Sequence, residues 1–235
     1  MGCKVLVKNS DGKPGGCYLV IAVQLCGLVN SVNIRLYKRQ HDPMSNRVAK
    51  GEYVETDTGN KVSRRSQISG TTNIILGGKT VIQSEVIIRG DLLRTYPSTS
   101  GEMLANQVAV STGRYCFFAR GCELRPPGKI YKGQFSHYTL RISDHVFVGS
   151  GSVVEAALIG SHVNIGTRCI IGKFAIIKDY VRILDGSVVP PNMVIPSFSI
   201  VAGRPAVVIG ELPEGEMESL ELRDLYRTIG NNQAS

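Results

Sequence analysis

The chain has 235 residues, a formal charge of +8, 43% hydrophobic and 20% charged residues, six cysteines and no tryptophan. That length allows one or two domains with a sizeable core, and the hydrophobic share excludes wholesale disorder. No run reaches the ~18 apolar residues of a spanning helix, and the cysteines are too few for a disulfide scaffold, which fits a reducing compartment.

Residues 1–43 show no repeat. Cys17 to Val29 is a nearly continuous apolar stretch, too short to span a membrane and without a clean cleavage site. Met1-Gly2-Cys3 begins like a myristoylation signal, but Leu6 stands where Ser or Thr is required. In the context MSNRVAKGEYVE, Met44 is the expected start, and residues 1–43 are read as an extension from a mistaken gene model. Residues 44–61 form a leader.

Residues 62–210 carry a six-residue period. Its clearest run begins on Ile159, Ile165, Ile171, Ile177, Ile183, Val189, Ile195 and Val201, with a small or β-branched residue at most fifth positions. Upstream blocks begin on Val62, Ile68, Ile74, Thr80 and Val86, then Thr112 and Phe118, then Ile142, Val148 and Val154. A strand alternates faces every two residues, so a six-residue unit that keeps returning an aliphatic inward must turn once per unit. Three units close one triangular coil, and coils stack by parallel pairing into about six coils. A sandwich of short alternating strands is the competing architecture. The 26 glycines and 6% aromatics suit crowded corners.

Two segments break the period. Leu92–Gln107 contains Tyr-Pro-Ser-Thr-Ser-Gly, and Pro126–Thr139 holds lysines, aromatics and His137. Both read as loops, either plain surface insertions or carriers of function. In residues 211–235, Glu214–Ile229 reads as a helix with Leu222, Leu225, Tyr226 and Ile229 on one face. Acidic residues at its start and Arg223 and Arg227 near its end suit the helix dipole. That face either caps the chain's own prism or docks another subunit. The basic excess belongs to residues 1–210 and the tail is acidic, which favours a charged docking surface over a nucleic-acid platform.

The blocks resemble the hexapeptide-repeat family. The resemblance implies an all-β, left-handed parallel β-helix with a C-terminal helix; the handedness comes from the resemblance alone. Val86-Ile87-Ile88-Arg89-Gly90-Asp91 is similar to a hexad of the γ-class carbonic anhydrases, which hold zinc with three histidines between prisms. Matched by motif, those ligand places hold Arg125, Ser150 and Glu155. The expectation is therefore no catalytic residue, no metal and no cofactor. An ion pair between Arg125 and Glu155 across an interface, and a structural or interface pair of Arg89 with Asp91, are the roles considered. His145 and His162, at fourth positions, are expected to face outward, and Cys116, Cys122 and Cys169 are expected to be small buried residues.

Tyr53-Val54-Glu55-Thr56, Gly59 to Arg64, Asn73 to Leu76, Ile87 to Asp91, Leu124 to Pro127, Val188 to Pro191 and Gly210 to Glu214 are together similar to the β-helical subunits of the dynactin pointed-end complex. This implies a non-catalytic subunit in the cytoplasm, on the cytoskeleton. The implied partners are a second β-helical subunit (subunit 6), actin-related pointed-end subunits and cargo adaptors, with no nucleic acid and no direct membrane insertion. A γ-carbonic-anhydrase-like or hexapeptide acyltransferase enzyme is the alternative, and a polyanion-binding scaffold is a third reading.

Overall fold

A computed structural model describes residues 51–97, 103–105, 108–131, 133–213 and 222–229. The readings made for residues 1–43 lie outside them. Short strands of two or three residues stack rung on rung into three parallel faces. Face A places Val62, Ile82, Phe118, Val148, Ile165, Ile183 and Val201 in one inward column. Face B does the same with Ile68, Ile88, Leu124, Val154, Ile171 and Val189. Face C uses Leu76, Thr112, Ile142, Ile159, Ile177 and Ile195. The result is the expected left-handed parallel β-helix, with six strands each on faces B and C and a seventh parallel rung on face A.

The three columns meet in one core. Every inward residue from Ile159 to Val201 is essentially inaccessible to solvent. Upstream, the blocks starting on Val62, Ile68, Thr112, Phe118, Ile142, Val148 and Val154 keep the expected frame, while those starting on Ile74, Thr80 and Val86 sit two residues early. An extra turn at Thr71–Asn73 shifts the frame, so the inward residues are Leu76, Ile82 and Ile88. Thr80 and Val86 instead fill the buried fifth positions.

The corners close by backbone conformation. Fourth residues of the hexads take φ between 52° and 62° at Lys79, Glu85, Tyr115, His145, His162, Arg168, Phe174, Tyr180, Asn192 and Phe198. Each left-handed residue costs about 1 kcal/mol when it is not glycine. The inter-coil hydrogen bonds offset that cost. Around the corner between faces C and A, Asp144 and Asp179 accept backbone N–H bonds from Arg114 and Ser161, each at 2.7 Å. Asp185, after the face A strand Arg182–Ile183, does the same for Thr167. Gly160 must stay without a side chain, because a Cβ there would lie 2.5 Å from Asp179 Oδ1.

Both predicted loops leave from the corner between faces B and C, and each contains a hairpin. Thr95–Pro97 pairs antiparallel with Met103–Ala105, and Gly128–Tyr131 pairs with Gln134–His137. Tyr138 sets its ring edge-on to Phe174 at 5.4 Å, which anchors the second excursion two coils further on. At the two ends of face A the chain turns back on itself: Tyr53–Glu55 runs antiparallel to Lys61–Ser63, and Ala206–Glu211 to Ser199–Gly203. Helix α1 spans Leu222–Thr228. The part of the predicted helix over residues 214–221 and the stop at Gly230 lie outside the described residues.

Inward and outward residues of one strand are expected to differ sharply. Ile171→Ala, in the core, should cost about 2–5 kcal/mol, whereas Ile170→Ala, half exposed beside it, should stay within about 0.5 kcal/mol. Urea unfolding of both variants measures this; equal losses would contradict the assigned frame.

Candidate functional site

On face B, the residue after each inward aliphatic turns outward as the chain approaches the corner carrying the two hairpins. Arg89, Arg125 and Glu155 follow Ile88, Leu124 and Val154, which are rung neighbours. They therefore stand one above another. Arg89 grips Asp91 through two parallel bonds, Nε to Oδ1 and Nη2 to Oδ2, both 2.8 Å. This hydrogen-bonded guanidinium holds the Asp91 carboxyl below its ordinary range against the opposing effect of burial, with a smaller push from His137.

Arg125 has two partners. Its Nε and Nη2 donate to Glu123 Oε1 at 3.0 and 2.5 Å, and its Nη1 donates to Glu155 Oε1 at 3.3 Å. The Arg125–Glu155 pair, considered as a bond between chains, thus also forms within one chain, because consecutive coils bring the two residues side by side. The closer partner, Glu123, was missed; it sits two residues before Arg125 on the same side of the strand, which the period could have revealed. Ser150 is exposed in the turn between the face A strand Phe147–Val148 and the face B strand Val153–Val154, away from this column. The set does not suit zinc. One place holds a cation already paired with carboxylates, and zinc requires neutral imidazole, thiolate or free carboxylate donors. Among the described residues no group of three His, Cys, Asp or Glu could hold a metal. His137 Nδ1 lies 3.3 Å from the Pro126 carbonyl oxygen.

Among the described residues the thiols offer no exposed nucleophile. Cys116, Cys122 and Cys169 are free and buried. Burial pushes Cys116 and Cys122 up to about 12 and raises Cys169 as well.

The apolar face of α1 rests on the outside of face A. Leu222 is buried against Val81, Phe117 and Ala119, with Leu225, Tyr226 and Ile229 packed around them. Lys61 fixes the helix end: its Nζ donates to the carbonyls of Tyr226, at 2.9 Å, and Ile229, and lies 4.1 Å from the Tyr226 ring centre. A cation there satisfies the free carbonyls that end a helix. Tyr226 Oη donates to the Gly59 carbonyl at 2.7 Å.

The corner between faces C and A bears an aromatic column that sequence reasoning did not assemble. Tyr115, His145, His162, Tyr180 and Phe198 stack with ring centres 4.8–5.2 Å apart and nearly parallel planes. All are fourth residues of face C hexads, so the frame contained the signal. Lys79 Nζ donates to Tyr115 Oη at 2.9 Å, and Arg223 of α1 lies over the same ring.

The family description for dynactin subunit 5 matches residues 45–227. The chain belongs to the dynactin subunit 5 family. A protein named "Dynactin subunit 5" from Dictyostelium discoideum is 41% identical over 112 residues, which is 48% of this chain and 49% of that protein. The chain thus spans about half the length of the curated relative it matches. Similar solved structures include a hexapeptide transferase family protein from Anaplasma phagocytophilum, 15% identical over 72% of this chain and 87% of that one, with TM-score 0.49. Another is a mutant of AntD, an N-acyltransferase from Bacillus cereus in complex with dTDP and coenzyme A, 18% identical over 72% and 89%, with TM-score 0.48.

In this dynactin subunit 5 family member, the column around Arg125 acts through charge balance. Arg125→Met leaves Glu123 and Glu155 without their shared cation, a loss of about 1 kcal/mol after allowing for solvent screening. The deficit should shrink as ionic strength is raised, because salt screens partly exposed charge pairs; a deficit unchanged between low and high salt would refute the charge argument. His145 provides a second test. Burial, then neighbouring His162 and Arg223, depress its affinity for a proton. Its folded value lies below its unfolded one, so its stabilising contribution is complete above about pH 6.5 and fades as pH falls through the folded value. His145→Phe, a ring already tolerated at Phe174 and Phe198, should flatten the fall in melting temperature between pH 7 and 5.

Proposed function

We propose that this chain is a non-catalytic structural subunit of the dynactin pointed-end complex. In this reading it occupies the cytoplasm and cytoskeleton and supports dynein-driven transport of membranous cargo along microtubules. Its partners are a second β-helical subunit (subunit 6), actin-related pointed-end subunits and cargo adaptors. It needs no nucleic acid and inserts no segment into a membrane; no helix among the described residues is long and apolar enough to cross one. Residues 62–210 serve as the β-helix, 44–61 as its leader and 211–235 as helix and tail.

The observation that carries the reading is the Arg125 cluster in a member of this family. Where a zinc enzyme of the related branch needs an imidazole, this chain sets a guanidinium between two carboxylates. Such a corner can hold coils together and present charge to a neighbour, but it supplies no open coordination position for water. In this proposal Arg89, Asp91, Arg125 and Glu155 form part of a contact with a neighbouring subunit. Leu222, Leu225, Tyr226 and Ile229 orient α1 for such a contact while gripping face A.

Native purification through a tag on the full chain, followed by mass spectrometry, tests the proposal. Dynactin subunits should be recovered with the chain, with substoichiometric zinc and no CO2 hydration. A lone homotrimer with stoichiometric zinc and turnover would replace it with the enzyme reading.

A further inference from the structure

The outward rows of faces A and C differ in one respect. On face A, α1 covers Val81 and Phe117. On face C the corresponding row, Arg141, Leu158, Ile176 and Val194 from rung to rung, has no such cover among the described residues. Leu158 is 39% and Val194 53% exposed, with Ile176 half-buried between them. At about 4.8 Å per rung, these three side chains make a straight aliphatic ridge roughly 10 Å long on a flat sheet.

Two cations border the ridge. Arg141 precedes Leu158 in the row, and Lys178 follows Ile176 by two residues, on the same side of its strand. Both are exposed, and neither forms an ion pair among the described residues. The carboxylates closest to them in sequence are engaged elsewhere: Asp144 and Asp179 accept the corner amides of Arg114 and Ser161. Aliphatic side chains in register, bordered by unpaired positive charge, define the surface they would fit. It is flat and apolar, with carboxylates at its border. Two cations are too few for a nucleic-acid track, and a ridge without aromatics offers no base-stacking platform.

We propose that face C, over Leu158, Ile176 and Val194, docks a flat aliphatic protein surface bordered by carboxylates, which belongs to the neighbouring subunit of the assembly. This rests on the assembly reading above. The ridge supplies the apolar contact, and Arg141 and Lys178 set its orientation by pairing with those carboxylates.

The experiment expresses the tagged full chain as wild type, as Leu158→Glu with Val194→Glu, and as Leu184→Glu, an exposed leucine at the corner between faces A and B, opposite face C. Recovery of identified dynactin subunits is quantified for each, and circular dichroism and melting confirm folding of the purified chains. The face C variant should lose at least about tenfold in recovered complex, because it places carboxylates against carboxylates, while Leu184→Glu is retained. Carbodiimide treatment of the wild-type complex should link Lys178 to an Asp or Glu of another subunit. If the wild type joins dynactin and the face C variant joins equally well, or Leu184→Glu is lost to the same extent, the assignment to face C is overturned and the assembly reading stands. If the wild type itself fails to join, both fall.

Discussion

Closure of the chain every six residues is the constraint on which everything else in this protein depends. An aliphatic side chain can return to the same interior column only if the backbone bends once per hexad. It does so through a left-handed fourth residue, tolerated at ten non-glycine positions. That local cost recurs in coil after coil and is offset by parallel pairing above and below. One consequence is that a residue's place in its hexad decides its fate. First and fifth residues enter the core, sixth residues look outward on a face, and third and fourth residues line an edge. Charge, aromatic stacking and apolar ridges then appear as straight columns, because each column repeats one hexad position.

The same logic explains which features were legible in the sequence. From Ile159 to Val201 the period is unbroken, and the inward column follows directly. Between Ile68 and Leu76 the turn at Thr71–Asn73 adds two residues. The apolar sequence Ile74-Ile75-Leu76 then accepts two frames, and only strand pairing chooses between them. That Arg125, Ser150 and Glu155 stand at the zinc-ligand places of a related branch is what the resemblance implies. Formation of the Arg125–Glu155 pair within one chain was not legible, since it depends on residues 30 apart meeting across adjacent coils. Glu123 and the aromatic column were within reach of the frame once edges, as well as the interior, were followed down the stack.

Helix α1 shows what periodicity cannot express. Its apolar face was evident from the spacing of Leu222, Leu225, Tyr226 and Ile229, but the landing site is an outward row of the prism, Val81 and Phe117 with Ala119 beside them. Lys61 joins the first coil to the end of a helix more than 160 residues later in the chain. The C-terminal helix is thereby tied to the first coils, and one of three otherwise similar faces is singled out. Asymmetry of this kind lets a repetitive scaffold present different surfaces in different directions.

The reversed strands at the two extremities of face A have a consequence for size. A stack of parallel rungs has no intrinsic stopping point, and a bare terminal rung is a template for one more. Tyr53–Glu55 and Ala206–Glu211 each occupy that template with a strand of opposite polarity. A further coil from another molecule cannot continue the parallel ladder there. The number of rungs is therefore written into the chain, and the prism behaves as a ruler of fixed length that resists growing into a fibre.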